Sequence, residues 1–174
     1  MTEIEILTKQ TEDAYQWVHN LIDTIPSEKW DELPEIVASN VTWQVGHLVI
    51  SIYYHSVMAI VGHQQDILEQ LPMRDYTKLF SFGTVAKNSI GKMNPNQLEA
   101  HLKIIEARSI AVITALPIES LPTDLEPTKM PHPIANTKFE AISWNVKHTM
   151  WHCGQIALIK RVIDKPYDNG IRRT

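Results

Sequence analysis

Two histidines of one predicted helix have the type and the spacing that metal chemistry requires. His148 and His152 stand four positions apart, and this spacing places both imidazoles on one helix face, about 40° apart. Two ring nitrogens in this arrangement can bind one cation, as the helical HxxxH pairs of zinc enzymes do. The residues between them are Thr149, Met150 and Trp151. Because the glutamate of HExxH metalloproteases is absent, the pair lacks that general base, and proteolysis of this type is excluded.

The neighbours of this pair favour a pocket, although two histidines at this spacing are also typical of partly exposed or hydrogen-bonded core residues. Trp144, Trp151 and Gln155 share the same helix face. They would place apolar walls and one amide beside the two imidazoles. Tryptophans at such positions are also typical of an ordinary core. We predict that these three side chains line a pocket.

An earlier predicted helix also carries a histidine, His47, on a face whose other side chains recur at three- and four-residue steps. A lone histidine on an apolar face is typical of a hydrogen-bonded core residue. Alternatively, this imidazole joins the other two in a three-nitrogen site with room for water. His55 lies about 80° from His47 around a regular helix and is a further pocket candidate. The pocket-lining candidates of this helix are Trp43, Ser51, Tyr54 and His55.

The other four histidines have no partner at ligand spacing. His19, His101 and His132 are predicted to be surface residues, and His63 is predicted to lie exposed in a connection.

Composition excludes several other classes of protein. The 174 residues include 16 Lys+Arg and 20 Asp+Glu, and the net charge of −4 argues against a general nucleic-acid binder. One cysteine, Cys153, excludes an intramolecular disulfide framework, a Cys-rich zinc module and a CxxC motif. We predict that Cys153 is a small buried hydrophobe, so that any reactive thiol must come from outside the protein. The sequence contains no Walker loop, dinucleotide fingerprint or serine nucleophile elbow.

The first residues and the apolar runs predict a cytoplasmic protein. The acidic start of the sequence lacks the cationic region of a signal peptide. Its longest apolar runs are far shorter than the roughly 20 residues of a spanning helix. We therefore expect no membrane partner.

Prolines and capping residues divide the chain into four long helical segments, at about 2–25, 40–61, 94–116 and 137–162. Asn94 with Pro95, and Thr137 with Glu140, are typical of helix starts. No segment alternates with the period of a strand. The pattern predicts an all-α four-helix bundle that forms one domain over residues 1–174. A long connection, with short helices near 65–70 and 75–80, separates the second and third helices.

Two motifs together resemble the DinB-like (YfiT-related) family of four-helix metalloenzymes. They are the segment from Asn40 to Val49, which contains His47, and the run His148-x-x-x-His152-Cys-Gly-Gln155-Ile. The resemblance implies a divalent metal bound by His47, His148 and His152, with open positions for water or substrate. It also implies a homodimer. Relatives with assigned activity include thiol-dependent S-transferases that use bacillithiol or mycothiol.

The resulting hypothesis is a metal-dependent enzyme of the S-transferase type that acts on a small-molecule substrate. A site of three imidazoles suits Zn²⁺ or Ni²⁺, and such an ion activates a bound thiol or water near neutral pH. A low-molecular-weight thiol is a plausible cosubstrate, and no side chain is identified as catalytic. The alternative hypothesis is a non-catalytic, dimeric helical module that binds metal or responds to stress.

Overall fold

Helices begin where the local capping chemistry is strongest. The computed structural model describes residues 1–170. Thr2 and Thr137 each close a capping box with the glutamate three positions later, and Asn40 and Asn94 cap two further helices. The helices in chain order are α1 Glu3–Ile22, α2 Val41–Val61, α3 Gln65–Gln70, α4 Met73–Phe80, α5 Pro95–Ala115 and α6 Lys138–Ile163.

The all-α prediction is confirmed over residues 1–170, where no strand is present. The described residues form six α-helices rather than four, because the connection between α2 and α5 contains α3 and α4. Helix α4 buries Tyr76 and Phe80 against α2. The connection is therefore part of the core on one side of α2.

Helix α2 is the central element of the bundle. It packs against α4, α5 and α6, while α1 packs against α5 and α6. The segment Val41–Val61 is long and apolar enough to cross a membrane by length and composition, but most of it is buried inside the fold. Its apolar character is thus explained by these contacts on several sides.

The last part of α2 departs from regular α-helical geometry. Residues Tyr54–Met58 form a π-helical turn, and the α-helix resumes at Ala59. A π turn changes the direction in which its side chains leave the helix, and such turns are frequent at functional sites. Tyr54 and His55 are the first two residues of this turn.

A partly buried ion pair joins α1 to α5. His19 Nε2 lies 2.7 Å from Glu106 Oε2, and both side chains are mostly covered. The hydrogen bond with Glu106 raises the pKa of His19, and burial raises the pKa of Glu106. His19 is therefore not the unpartnered surface residue that the sequence predicted, because its partner lies 87 positions away in the chain.

The substitution His19→Gln should lower the free energy of unfolding by about 1–3 kcal/mol at pH 6 and by less at pH 9. A raised folded-state pKa means that the His19 contribution is fully present below its ordinary pKa of 6.5 and is lost as the pH rises through the folded value. Urea unfolding followed by circular dichroism at several pH values measures this difference. In a Glu106→Gln background the effect of His19→Gln should no longer be larger at pH 6 than at pH 9, because the largest cause of the raised His19 pKa is then removed. A pH-independent difference in the presence of Glu106 would contradict the assignment.

Candidate metal centre

Helices α2 and α6 bring together the three histidines that the sequence placed on separate faces. One ring nitrogen from each of His47, His148 and His152 lies within 4.8 Å of the other two. His47 is 8% exposed and His152 is 5% exposed. The side-chain nitrogens therefore converge where α6 crosses α2, largely out of contact with water.

The carbonyl of Phe80 determines which nitrogen of His47 carries the proton. His47 Nδ1 lies 2.6 Å from Phe80 O. A carbonyl oxygen only accepts, so Nδ1–H donates and Nε2 retains its lone pair. Metal-binding histidines commonly donate their second nitrogen to a carbonyl in this way. Phe80 is the last residue of α4, so the fold of the connection orients this ring.

Gln44 has the same role for His152. Its amide oxygen lies 2.5 Å from His152 Nδ1, while its amide nitrogen donates to Ser39 Oγ at 2.8 Å. An amide oxygen only accepts, so His152 Nδ1–H donates to it. His152 Nε2 is therefore also left with a free lone pair. Gln44 lies one turn before His47 on α2, so one helix provides both a ligand candidate and the support for another.

His148 completes the group without an outer partner. Its Nε2 lies 3.2 Å from His152 Nε2. Its Nδ1 is buried, and no described residue forms a hydrogen bond with it. This nitrogen leaves one hydrogen-bonding position that a water molecule or a bound group can fill.

The three imidazoles are neutral at physiological pH. Burial lowers the pKa of His47. Burial, together with the neighbouring histidines, lowers the pKa of His148 to about 4 and that of His152 to about 2. Neutral imidazole is the form that binds metals. Three neutral nitrogen donors, two of them with oriented lone pairs, therefore fit a borderline divalent cation such as Zn²⁺ or Ni²⁺.

A cavity of about 680 Å³ opens beside His47 and His148. Five of the predicted pocket residues line it, and most other wall residues are apolar or aromatic. Among the residues that the structure describes, none of the cavity-lining side chains is Asp, Glu, Lys or Arg. The predicted residues in the wall are Ser51, Tyr54, His55, Trp144 and Trp151.

Two predicted pocket residues lie elsewhere. Trp43 stacks on the His47 ring, with centroids 4.9 Å apart, and its indole N–H donates to Thr84 Oγ1. Gln155 is half-buried and is absent from the cavity wall. The helix faces that carry the predicted residues are wider than the cavity. A residue can therefore lie on such a face and still be outside the cavity wall.

Three of the remaining histidines have partners that the sequence did not reveal. The Nδ1 atom of His63 lies 3.3 Å from the hydroxyl of Tyr53. His132 was predicted to be an isolated surface residue, but its Nε2 lies 2.7 Å from His55 Nδ1. His101 Nδ1 lies 2.9 Å from the hydroxyl of Tyr76. His63 is exposed, as predicted, and also borders the cavity. No periodicity could reveal the contact of His132, because residue 132 lies in an irregular segment.

A second group of possible ligands consists of His19, Asp23 and Glu99. His19 already pairs with Glu106, and Glu99 pairs with Lys103. None of the three residues lines the 680 Å³ cavity beside His47. It is less suited to a metal than the first group.

Comparisons with known proteins agree with this architecture. A family model described as the DinB superfamily matches residues 10–156. The chain is similar to a crystal structure of a conserved protein from Enterococcus faecalis, with a TM-score of 0.67 and 12% sequence identity, over 94% of this chain and 98% of the other. At this identity the likeness extends to the fold alone. No curated protein matches the chain.

Proposed function

Because the chain belongs to the DinB superfamily, we propose that it is a metal-dependent enzyme in which His47, His148 and His152 hold a divalent cation, Zn²⁺ or Ni²⁺. The reaction class that we propose is transfer of an external thiol to an electrophilic small molecule. One observation carries the proposal: three neutral imidazoles converge beside a cavity that His47 and His148 line, and backbone and amide oxygens orient two of them.

The metal would supply Lewis-acid chemistry, which lowers the pKa of a bound thiol or water. The side chains of the protein provide the environment. Trp144 and Trp151 form an apolar part of the cavity wall next to His148. In the transfer, the thiol releases its proton to water, a sulfur–carbon bond forms with the electrophile, and the leaving group departs with its bonding electrons.

The thiol must come from outside the chain. Cys153 is buried, and burial raises the pKa of its thiol to about 12. A thiol of such high pKa is a poor nucleophile at neutral pH because the reactive form is the thiolate. It is also the only cysteine in the sequence. This supports a separate thiol cosubstrate.

Turnover by the metal-loaded protein tests the proposal. The purified chain is stripped with a chelator and reloaded with Zn²⁺ or Ni²⁺. It is then mixed with a panel of small thiols and with 1-chloro-2,4-dinitrobenzene, whose thioether product absorbs light. We expect product to form faster with metal and protein together than in the uncatalysed reaction of the same thiol and electrophile. Stoichiometric metal binding without turnover across varied thiols and electrophiles would instead favour the non-catalytic metal-binding module.

The substitution Gln44→Met should weaken metal binding by about 10- to 100-fold, because loss of an outer hydrogen-bond partner releases the His152 ring. Competition with a chromophoric chelator measures the affinity, and circular dichroism checks that the helices persist. Gln155→Met is the matched control, since Gln155 forms no hydrogen bond to the three histidines among the described residues. Equal losses in the two variants would contradict the role of Gln44.

The homodimer, the cytoplasmic location and the absence of nucleic-acid and membrane partners stay predictions of the sequence.

A further inference from the structure

We propose that the cavity binds an uncharged, largely apolar molecule with a hydrogen-bond acceptor, that His55 donates to this acceptor, and that His132 holds His55 in the donating tautomer. The substrate class refers to the metal centre described above, so this part of the proposal rests on the proposed function. The assignment of the two tautomers does not depend on a metal.

The backbone first determines the tautomer of His132. The N–H groups of Ala135 and Ile134 point at His132 Nδ1, at 2.8 and 3.3 Å. A nitrogen that accepts from backbone N–H groups carries no proton. The proton of the neutral His132 ring is therefore on Nε2.

His132 in turn determines the tautomer of His55. Its Nε2–H faces His55 Nδ1 at 2.7 Å, so Nε2 donates and His55 Nδ1 accepts. The proton of His55 is then on Nε2. His55 is 6% exposed and forms part of the cavity wall, and no described residue forms a hydrogen bond with its Nε2. This N–H is a fixed donor that is available to a ligand.

The π turn and an aromatic contact keep the two rings together. Tyr54 and His55 begin the π turn of α2. The Tyr54 ring stacks on His132 at a centroid distance of 5.3 Å and an interplanar angle of 10°. The two consecutive side chains thus contact the same ring of the 131–135 segment from two directions. His55 also lies 5.3 Å from the ring of His148, which places the donor beside the three-histidine group.

The rest of the cavity selects against charge. Among the described residues, its wall contains no acidic or basic side chain apart from histidines. A carboxylate or phosphate placed there would lose its hydration without gaining a counter-ion. A cation bound by the three histidines would balance one negative charge of a ligand. A second charge, farther along the ligand, would lie against Ile50, Met58 and Leu68.

Nuclear magnetic resonance of the metal-free protein tests the tautomers. Long-range ¹H–¹⁵N spectra of ¹⁵N-histidine-labelled protein distinguish the Nδ1–H and Nε2–H forms. We expect both His55 and His132 as Nε2–H tautomers. His132→Phe should release His55 into a mixture of tautomers, while His132→Gln, whose side-chain amide can still donate, should retain the Nε2–H form. A His55 ring protonated on Nδ1 in the unmodified protein would overturn the proposal.

Three thiol probes of known chemistry test the substrate class on the Co²⁺-loaded protein. They are mercaptosuccinate, which carries two carboxylates, benzyl mercaptan, which is apolar, and N-phenyl-2-mercaptoacetamide, which is apolar and carries a carbonyl acceptor. The thiolate-to-cobalt absorption band reports binding. We expect both apolar probes to bind at least about 10-fold more tightly than mercaptosuccinate, because burial of an unpaired charge is costly.

The acceptor probe tests His55 itself. His55→Phe, which removes the donor, should weaken the binding of N-phenyl-2-mercaptoacetamide by about 10-fold, as loss of one well-oriented hydrogen bond does, and should leave benzyl mercaptan unchanged. His63→Phe, at another point of the wall, should affect the two probes equally. Equal affinity for charged and apolar probes would overturn the proposal. Failure to load Co²⁺ would instead overturn the proposed function, while the tautomer measurement would still decide the role of His132.

Discussion

The substitution His148→Ala is expected to abolish stoichiometric binding of Zn²⁺ or Ni²⁺ while the helices persist. The affinity should fall by more than the roughly 10- to 100-fold that the loss of an outer hydrogen-bond partner costs, because a ligand itself is removed. The fold should tolerate the change. His148 is half-buried, its Nδ1 has no hydrogen-bond partner among the described residues, and its only side-chain hydrogen-bond contact is with His152.

Metal titration of the chelator-stripped protein, followed by calorimetry, measures this loss, and thermal unfolding with and without metal provides a second readout. The unmodified chain should gain stability from the metal by mass action, and the variant should not. His101→Ala is a suitable control, because His101 lies away from the group and contacts Tyr76. If His148→Ala still binds one equivalent with unchanged affinity, the three-histidine site is wrong.

The substitution Gly46→Ala should destabilise the fold and weaken metal binding together. A Cβ at position 46 would lie 2.5 Å from the ring of Phe80, which no real contact permits. Alanine favours a helix over glycine by about 1 kcal/mol. Displacement of a fully buried ring should outweigh this gain, since overpacking typically costs about 1–3 kcal/mol. We expect a net loss of up to about 2 kcal/mol in the free energy of unfolding.

The expected loss of metal affinity follows from the backbone of Phe80. Phe80 provides the carbonyl that holds His47 Nδ1. If its ring is displaced, this carbonyl moves with it and the His47 ring loses its orientation. We expect a fall in metal affinity of about 10- to 100-fold, as for other outer partners.

Two further variants separate this mechanism from a general effect of alanine in a helix. At Gly154, on α6, an added Cβ would meet nothing within 4 Å, so Gly154→Ala should stabilise the protein. In the Gly46→Ala background, Phe80→Leu should recover part of the lost stability, because the smaller side chain makes room for the new methyl group. Independent, additive effects of the two substitutions would exclude a clash between them.

The elements of the fold could be predicted because their signals are local. The capping boxes at Thr2 and Thr137 act within one helical turn, and the helix starts at 3 and 138 follow from them. The spacing of His148 and His152 likewise determines that both rings leave one face of α6. The short helix predicted near 65–70 is observed as Gln65–Gln70, although its packing could not be derived from its own residues.

The sequence by itself thus indicated an all-α chain and a resemblance to the DinB-like family, and that resemblance implied the three histidines that the structure brings together. Only the tertiary structure decided which partners orient them, that Gln155 stands outside the cavity wall and that His132 contacts His55. The physical reason is the range of the interactions. Helix caps and i,i+4 pairs join neighbours in the chain, whereas Phe80 and His47 are 33 positions apart and His132 and His55 are 77 apart. Such contacts depend on how irregular segments pack, and no local periodicity encodes that packing.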